Sequence, residues 1–312
     1  MEMSQSTGAG VVFPDIAVIG NPVLDLVVRD GVVRDSALGG TASYAASALH
    51  ALGARVRVVG LVGEDFPEAL LEVLSREGLD LGAVQRIAGV PTTSYRLEYT
   101  GDPPTRIVRL LASGPRIGHD TLAPDVGDAR AIHLGAVAGE ITGEAMDRLL
   151  DLGSRPMIGA DLHIMRCFDD EGRVRLAADE ALRGRLARLD VIKGSFEEIR
   201  ALAGVEDVNT AVQGIEAGET VLATDGRGQG VFREDGACRC FWPYPTREVD
   251  ATGAGDVFLA SYLYARTRLE RGIADAVRLA AASASFVVEA SGVGRLGDRK
   301  AVEERAREIR ID

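Results

Sequence analysis

Short apolar runs alternate along this chain with longer segments of helical periodicity. The apolar runs are rich in Val, Ile and Ala and lie at residues 15–20, 56–62, 131–135, 156–161, 189–193 and 220–224. Between most of them, apolar residues recur three or four positions apart, at residues 41–52, 66–77, 142–152, 196–203 and 208–217. A run without polar alternation is typical of a strand buried on both faces. The pattern therefore predicts an α/β fold with a mainly parallel central sheet and helices on both faces.

The remaining segments depart from this alternation. Residues 230–234 and 239–242 predict a hairpin, and three helical segments follow at 254–269, 273–290 and 298–309. Residues 24–33 and 92–111 fit neither pattern, and the stretch from Ser94 to Tyr99 alternates like a strand with one exposed face. We predict that these segments form a small β-sheet lid, built from about residues 22–38 and 90–112. No repeat or linker-like tract divides the sequence, so we predict one domain over residues 1–312.

Charge and composition restrict the partners of the protein. The 312 residues are 46% apolar, enough for a large core, and carry a formal net charge of −12. Such a surface repels polyanions, and Lys and Arg form no long run, so we predict no nucleic-acid partner. The cysteines, Cys167, Cys238 and Cys240, lack a zinc ligand set and are interpreted as reduced. Because the sequence shows no targeting-like start and no stretch of about 18 apolar residues, we predict a cytoplasmic protein without a membrane partner.

Residues 247–258 combine a turn of small residues with the start of an apolar helix. Gly253, Ala254 and Gly255 let the backbone approach a ligand closely, and the first N–H groups of a helix have no partner within it. This arrangement predicts an anion-binding site. Asp256 in the first turn would ordinarily be explained by capping and the helix dipole. Beside an anion, however, a carboxylate is unfavourable unless a substrate proton or a metal ion lies between them, as phosphoryl transfer to an alcohol requires.

Two motifs carry a resemblance to a known family. The stretch from Asp250 to Asp256 reads D-A-T-G-A-G-D and resembles the C-terminal signature of the PfkB/ribokinase family of carbohydrate and nucleoside kinases. The stretch from Gly39 to Ser43 reads G-G-T-A-S and resembles the N-terminal signature of the same family. The resemblance spans roughly residues 15–298. It implies a ribokinase-like three-layer α/β sandwich with a β-sheet lid, and an ATP-dependent phosphotransferase with an alcohol as acceptor.

The resemblance also implies the residues that carry the chemistry. Asp256 would be the general base, and Gly253, Ala254 and Gly255 would hold the transferred phosphate. The implied ATP-binding residues are Lys193, Glu198, Thr224, Gly226, Thr252, Gly253, Gly255 and Ala281. Glu198 belongs to an Asn-x-x-Glu element that organises Mg²⁺ through water. Ser195 stands where Asn is usual, and Ser195 with Glu198 also forms a helix capping box that needs no function. Asp250 is implied as part of the K⁺ site that some family members have.

The acceptor pocket is implied in the same way. The substrate-binding residues are Asp25, Gly39, Gly40, Ser43, Tyr44, Arg109, Asp161 and Arg166. Asp25 corresponds to the carboxylate that binds substrate hydroxyls, although a polar turn residue at a strand end is an equal alternative. Residues 161–166 take the place of an Asp-x-Asn-x-Arg strand end, with the Arg displaced by one. Together with Tyr44, where ribokinases commonly have Asn, these features are more similar to the myo-inositol kinase branch than to ribokinase.

Other motifs are set aside. Residues 292–297 read G-V-G-R-L-G, a dinucleotide-binding string, but they follow a helix instead of a strand. The G-x-x-x-x-G-K-[ST] pattern of P-loop nucleotidases does not occur. The histidines, His50, His119, His133 and His163, show no metal-ligand spacing, and His133 is interpreted as a core residue.

We therefore predict a kinase that transfers the γ-phosphoryl group of ATP to a hydroxyl of a small polyol, a cyclitol such as myo-inositol or a sugar. Two alternatives stay open. One is a nucleoside kinase, since Tyr44 or Tyr95 could stack on a base, and the other is a non-catalytic ligand sensor on a kinase scaffold. We also predict a homodimer through the lid, because lid strands of this kind leave an apolar face.

Overall fold

The computed structural model describes residues 13–76, 78–101, 105–122, 126–137, 139–153 and 155–312, with only the backbone described at 34–36 and 105–106. The strands are β1 (Ile16–Ile19), β2 (Val23–Arg29), β3 (Val32–Gly39), β4 (Val56–Gly63), β5 (Asp80–Ile87), β6 (Ser94–Thr100), β7 (Thr105–Ala112), β8 (Ala131–Leu134), β9 (Met157–Asp161), β10 (Arg166–Phe168), β11 (Val174–Leu176), β12 (Val191–Ser195), β13 (Thr220–Thr224), β14 (Gly230–Glu234) and β15 (Ala237–Phe241). The α-helices are α1 (Thr41–Ala51), α2 (Glu68–Arg76), α3 (Gly143–Leu150), α4 (Glu180–Leu186), α5 (Phe196–Ala203), α6 (Val208–Gly214), α7 (Ala254–Thr267), α8 (Ile273–Val287) and α9 (Arg299–Ala306). Short 3₁₀ helices lie at His119–Thr121, Val126–Asp128 and Leu162–Met165.

The central sheet has nine strands in the order β15-β14-β13-β12-β9-β8-β1-β4-β5. All neighbouring pairs from β13 to β5 are parallel, and β14 and β15 add an antiparallel edge. Each predicted buried run forms one of the parallel strands. The carboxyl ends of parallel strands meet at one edge of a sheet, which is where ligands bind in open α/β folds.

Two cores cover the two faces of this sheet. In β1, Ile16 and Val18 pack with α1, α7 and α8 on one face, while Ala17 and Ile19 pack with α3, α5 and α6 on the other. All four side chains are completely buried. Burial on both faces explains why the strand sequences are continuous apolar runs and not alternating ones. Full burial of a Val or Ile side chain contributes roughly 1.5–3 kcal/mol, so these strands anchor the fold.

A second sheet of four strands, in the order β3-β2-β6-β7, lies over one edge of the first. In β6, Tyr95, Leu97 and Tyr99 are buried, and the residues between them are partly exposed, as the alternation predicted. The buried face packs against Val137, which follows β8, and Phe168, which follows β9. The second sheet therefore forms a roof above the carboxyl ends of the central strands. We call it the lid.

Some elements were not predicted. The edge strand β5 alternates between exposed and half-buried residues, so its sequence is too polar to be recognised as a buried strand. The helix α4 is short, and β10 and β11 pair only with each other as a three-residue hairpin. The helices α6 and α8 end at Gly214 and Val287, earlier than predicted. Throughout the described residues, no helix combines the length and the apolar character needed to cross a lipid bilayer.

Candidate active site

The helix α7 begins at the carboxyl edge of the central sheet with the turn Gly253, Ala254 and Gly255. Gly253 is the N-cap and has φ 80°, a left-handed conformation that favours glycine. A β-carbon at this position would also clash with the ring of Tyr44. The helix is buried from Asp256 to Ala265, so its start cannot shift. The turn thus lies at the start of α7, where the sequence predicted it, and anion binding by this turn stays a prediction.

Two cavities open beside this turn. The lid-side cavity has a volume of about 560 Å³ and lies between α7 and the lid strands β2, β6 and β7. Its polar lining includes Asp25, Thr41 and Tyr44, and its apolar lining includes Leu97 and Val108. It can hold a small molecule with hydroxyl groups on one side and an apolar face on the other.

The helix-side cavity is larger, with a volume of about 1570 Å³, and lies between α7, α8 and the loop after β13. It is lined by the predicted nucleotide-binding residues Lys193, Glu198, Thr224, Gly226 and Ala281. Its far wall is mostly apolar. That wall contains Phe241, Trp242, Pro243, Tyr244, Ala284 and Val288.

The two cavities meet at the start of α7. Gly253 and Asp256 line both of them, as do His163 and Arg166. Asp256 is 5% exposed, so its carboxylate is almost fully buried and yet faces the junction of the cavities. The side chain of Thr41 donates a hydrogen bond of 2.8 Å to Asp256 Oδ1. A group passing from one cavity to the other would pass this carboxylate.

The environment of Asp256 raises the pKa of its carboxyl group. Burial is the main cause, and the nearby carboxylate of Asp161 acts in the same direction. His163, Lys193 and the hydrogen bond from Thr41 oppose the shift without cancelling it. A carboxylate with a raised pKa is a stronger base than an ordinary Asp. This is the property that proton abstraction from an alcohol requires.

Two ion pairs lie at the junction, the first buried and the second partly buried. Lys193 Nζ is 2.8 Å from Asp161 Oδ2, and Arg166 Nη2 is 3.0 Å from Glu198 Oε1. Burial lowers the pKa of Lys193, but the surrounding carboxylates outweigh it and raise the pKa overall. Burial likewise raises the pKa of Asp161, but His163 and Lys193 hold it well below its usual range. The pair of Lys193 and Asp161 therefore stays charged at neutral pH.

Glu198 was predicted to hold Mg²⁺ through water, with Ser195 as its neighbour. The capping box is complete, because Ser195 Oγ accepts the Glu198 N–H at 3.2 Å and Glu198 Oε2 accepts the Ser195 N–H at 2.9 Å. Ligand atoms of Asp161, His163 and Glu198 lie within 4.8 Å of one another. Both carboxylates are already paired with cations, so direct coordination by this group is unfavourable. Each carboxylate oxygen keeps a second lone pair, which suits a hydrogen bond to a metal-bound water.

Asp250 was predicted to hold K⁺. Its Oδ1 instead accepts hydrogen bonds from the Tyr99 hydroxyl at 2.9 Å, the Thr252 hydroxyl at 2.7 Å and the Thr252 N–H at 3.0 Å. Three donors on one oxygen do not fit a cation at that oxygen. Because Tyr99 belongs to β6, the same contacts tie the lid to the loop that precedes α7. Thr252 lines the lid-side cavity and not the helix-side one.

Of the remaining predicted substrate residues, some lie at or beside the lid-side cavity and one does not. Gly39 lies so close to Asp25 that a β-carbon there would clash with the carboxylate, and Gly40 lines the lid-side cavity. Ser43 Oγ donates to the carbonyl oxygen of Gly39 at 2.9 Å and supports this turn from behind. Arg109 lies away from both cavities. Its neighbour Val108 lines the lid-side cavity, so Arg109 points to the other face of β7, where it donates to the carbonyl of Glu171 at 3.5 Å.

Three residues at the site were not identified as site residues from the sequence. Thr41 lies inside the recognised glycine motif, but its contact with Asp256 joins positions 215 residues apart. His163 was set aside with the other histidines, although it follows the strand that ends in Asp161. Tyr95 was considered only as a stacking residue. It lines the lid-side cavity, and its buried hydroxyl has no hydrogen-bond partner among the described residues. The alternation of β6 was the one signal that could have placed Tyr95 in the cavity.

Comparison with known proteins places this site in context. A family model described as pfkB family carbohydrate kinase matches residues 28–299. Inositol 3-kinase of Oryza sativa subsp. japonica is 32% identical over 266 residues, which cover 78% of this chain and 61% of that protein. Inositol 3-kinase of Zea mays is 29% identical over 268 residues, which cover 78% of this chain and 64% of that protein. The chain thus spans less than two thirds of the length of these relatives.

A solved structure shares the fold. A pyrophosphate-dependent kinase in the ribokinase family, complexed with a pyrophosphate analog and myo-inositol, superposes with a TM-score of 0.78. The alignment has 22% sequence identity and covers 93% of this chain and 99% of that one. This likeness confirms the predicted ribokinase-like α/β sandwich with its smaller second sheet.

Proposed function

This chain belongs to the pfkB family of carbohydrate kinases, and we propose that it transfers the γ-phosphoryl group of ATP to a hydroxyl of a cyclitol. One observation carries the proposal. Asp256 has a raised pKa and lines both the lid-side and the helix-side cavity at the N-terminus of α7. A kinase needs a base at the one place where an acceptor hydroxyl and a terminal phosphate meet.

In the proposed reaction the acceptor occupies the lid-side cavity and the nucleotide occupies the helix-side cavity. The acceptor hydroxyl gives its proton to Asp256 while its oxygen forms a bond to the γ-phosphorus. The bond between the γ-phosphorus and the β–γ bridging oxygen breaks, and its electron pair stays on that oxygen as ADP leaves. The products are the phosphorylated acceptor, ADP and a proton, which Asp256 returns to solvent.

The turn before Asp256 supplies the electrostatic stabilisation. N–H groups at the start of α7 and the positive end of its dipole face the junction, where charge on the transferring group develops. Lys193 and Arg166 add positive charge from below, each tied to a carboxylate that fixes its position. Because these donors are fixed in advance, the site needs little rearrangement during the reaction.

Mg²⁺ is the metal that we propose for this site, and Glu198 is the residue that would hold it through water. The metal, when bound with ATP, supplies positive charge that neutralises the phosphates. The burial of Glu198 and its bond to Arg166 fix the carboxylate at the edge of the helix-side cavity. We propose no step that uses K⁺, because the donors around Asp250 leave no place for it at Oδ1.

ATP is proposed as donor in preference to pyrophosphate. The helix-side cavity extends from Asp256 past Gly226 to Trp242 and Ala281, much farther than two phosphates reach. The apolar side chains of the far wall cannot bind the charged oxygens of pyrophosphate, but they can pack against the base and ribose of a nucleotide. Rates with ATP and with pyrophosphate at matched concentration test this point. A faster rate with pyrophosphate would contradict the assignment of the donor.

A cyclitol is proposed as acceptor because the lid-side cavity combines polar and apolar walls. Asp25 and Asp256 can each accept hydrogen bonds from hydroxyls, and the Tyr95 hydroxyl has no partner among the residues that the structure describes. Leu97 and Val108 offer an apolar wall for the ring. The inositol 3-kinases among the relatives support myo-inositol as the first compound to test. A deoxy analogue would leave a buried acceptor unpaired and should be a poor substrate.

The decisive experiment is a coupled assay of ADP release over inositols, pentoses, hexoses and nucleosides. We expect the highest kcat/KM with an inositol. The best rate with a nucleoside would favour the nucleoside kinase alternative, in which Tyr44 or Tyr95 stacks on the base. Binding of polyols without ADP release from any compound would favour the ligand sensor.

The lid also supports the proposed homodimer. Ile107 and Leu111 lie on one face of β7 and are 43% and 54% exposed, and Val32 and Val33 on the edge strand β3 are 51% and 55% exposed. Association through this face would cover side chains that are unfavourable in water. Light scattering of the purified protein tests the proposal, with Ile107→Lys as the variant that should shift the mass to that of a monomer.

A further inference from the structure

His163 occupies the junction of the two cavities. It lies in the 3₁₀ helix that follows β9, and its backbone N–H donates to Asp161 Oδ1 at 3.0 Å. Its Nε2 is 3.5 Å from Asp161 Oδ1 and 3.7 Å from Glu198 Oε1, while its Nδ1 is 3.8 Å from Asp256 Oδ1. The ring is thus surrounded by three carboxylates and lines both cavities.

The His163 ring is close to these carboxylates, but it makes no hydrogen bond to Asp256. Nδ1 is buried and has no hydrogen-bond partner within the described part of the chain. An unpaired buried polar atom is unfavourable, and at the edge of a cavity the missing partner is most simply supplied by a ligand. His133 provides a contrast, because its ring nitrogens are also unpaired among the described residues, but it lies in the core on β8 and lines neither of the two cavities.

The charges around the junction leave a role for such a donor. Lys193 and Arg166 are each paired with a carboxylate, namely Asp161 and Glu198. Phosphate oxygens that arrive beside Asp256 meet a third carboxylate, which repels them. With its proton on Nδ1, the neutral ring offers an N–H donor beside Asp256 that can bind a phosphate oxygen. Burial lowers the pKa of His163, and Arg166 acts in the same direction, which keeps the ring neutral at pH 7.

We propose that His163 is a catalytic residue, whose imidazole N–H donates a hydrogen bond to an oxygen of the phosphoryl group as it passes from the helix-side to the lid-side cavity. The inference rests on the proposed function. The bond strengthens as negative charge on the transferring group moves toward the junction. His163 therefore stabilises the transition state more than either bound substrate.

Two variants separate this role from simple packing. His163→Leu fills the space and removes the donor, while His163→Asn places an amide N–H at about the position of Nδ1. We expect His163→Leu to lower kcat with ATP and myo-inositol by about 100-fold, the usual effect of removing one such donor, with the KM of myo-inositol changed less than about 3-fold. We expect His163→Asn to recover at least about 10-fold of that loss.

A binding measurement gives a readout that does not depend on turnover. The affinities for ADP alone and for ADP with aluminium fluoride are measured by calorimetry with Mg²⁺ and myo-inositol present. His163→Leu should weaken the fluoride complex by about the same factor as kcat and leave ADP binding unchanged. His119→Gln changes an exposed histidine that lines neither cavity and should alter neither kcat nor either affinity.

The outcomes are distinct. Equal weakening of ADP and of its fluoride complex, or an unchanged kcat in His163→Leu, overturns the role of His163 and leaves the proposed function standing. If His163→Leu does not fold, His163→Asn decides, since loss of the fluoride complex in a folded protein with normal ADP binding overturns the donor role. Absence of turnover by the wild-type protein on every acceptor overturns the proposed function and this inference with it.

Discussion

The side-chain hydroxyl of Thr41 donates a hydrogen bond of 2.8 Å to Oδ1 of Asp256. Thr41 is the first residue of α1 and Asp256 lies in the first turn of α7, so the bond joins two helix starts that are 215 residues apart in sequence. Both residues are buried. The bond fixes the orientation of the proposed base and lowers its pKa, partly offsetting the effect of burial.

Thr41→Val keeps the shape of the side chain and removes this donor. A hydrogen bond to a charged group contributes about 1.5–3 kcal/mol, so we expect kcat to fall by roughly 10- to 150-fold. The pKa of Asp256 should rise further, which moves the acid limb of the pH profile of kcat/KM to higher pH. Thr41→Ser keeps the hydroxyl and serves as the control, with near wild-type kcat and pH profile. Equal profiles for the Val and Ser variants would contradict this positioning role.

Asp256→Asn removes the base while keeping an oxygen that can accept the bond from Thr41. We expect kcat to fall by about two to four decades with the KM of the acceptor nearly unchanged. The raised pKa means that the buried carboxylate costs stability when it is charged, above that pKa. Thermal unfolding at pH 7 should therefore show a Tm that is equal to or higher than that of the wild type. Near-normal turnover in this variant would disprove the role of Asp256.

The wild-type enzyme should lose activity on the acid side at a pH above the usual range of an Asp. The base must be deprotonated to act, and the pKa of Asp256 is raised above the ordinary value of about 3.9. As pH falls through that raised pKa, the carboxyl gains a proton, and kcat/KM falls in proportion to the fraction of Asp256 that remains deprotonated. The pH profile of kcat/KM with saturating ATP measures this limb. A profile that stays flat down to pH of about 4 would show that another group is the base.

The pair of Lys193 and Asp161 offers a test of buried charge. Lys193→Met leaves the Asp161 carboxylate buried without its partner, which should cost about 3–5 kcal/mol of unfolding free energy. Lys193→Met with Asp161→Leu removes both charges and should recover most of that stability. Activity should stay low in the double variant, because the positive charge below Gly255 is lost. Urea denaturation followed by the coupled assay separates the two effects. Recovery of both stability and activity would show that Lys193 serves the fold alone.

Ala281→Leu places a larger side chain on the wall of the helix-side cavity, where we propose that the nucleoside binds. The KM for ATP should rise by about 10-fold or more, since roughly 1–3 kcal/mol is typical for overfilling a packed site. The KM for myo-inositol is the internal control and should stay the same, because Ala281 does not line the lid-side cavity. An equal rise in both constants would indicate a general disturbance of α8. In that case the variant would argue against a specific donor contact.

Much of the fold was accessible from the sequence. The strands of the parallel sheet were found because burial on both faces demands continuous apolar runs, and β1 with Ile16 to Ile19 is the clearest case. The turn before Asp256 was found because close approach of backbone to a ligand restricts which residues fit. The edge strand β5 was missed for the opposite reason, since half-exposed positions place few demands on residue type.

The sequence alone determined the order of strands and helices, the glycine turn and the carboxylate that follows it. Each of these features depends only on residues that are close together in the sequence. Only the tertiary structure decided that Thr41 meets Asp256, that His163 lies between three carboxylates, and that Arg109 faces away from the cavities. Such contacts join residues far apart in the chain, and they depend on strand order and on which face of a strand is covered. Burial patterns record that a side chain is enclosed, but they do not record which distant residue encloses it.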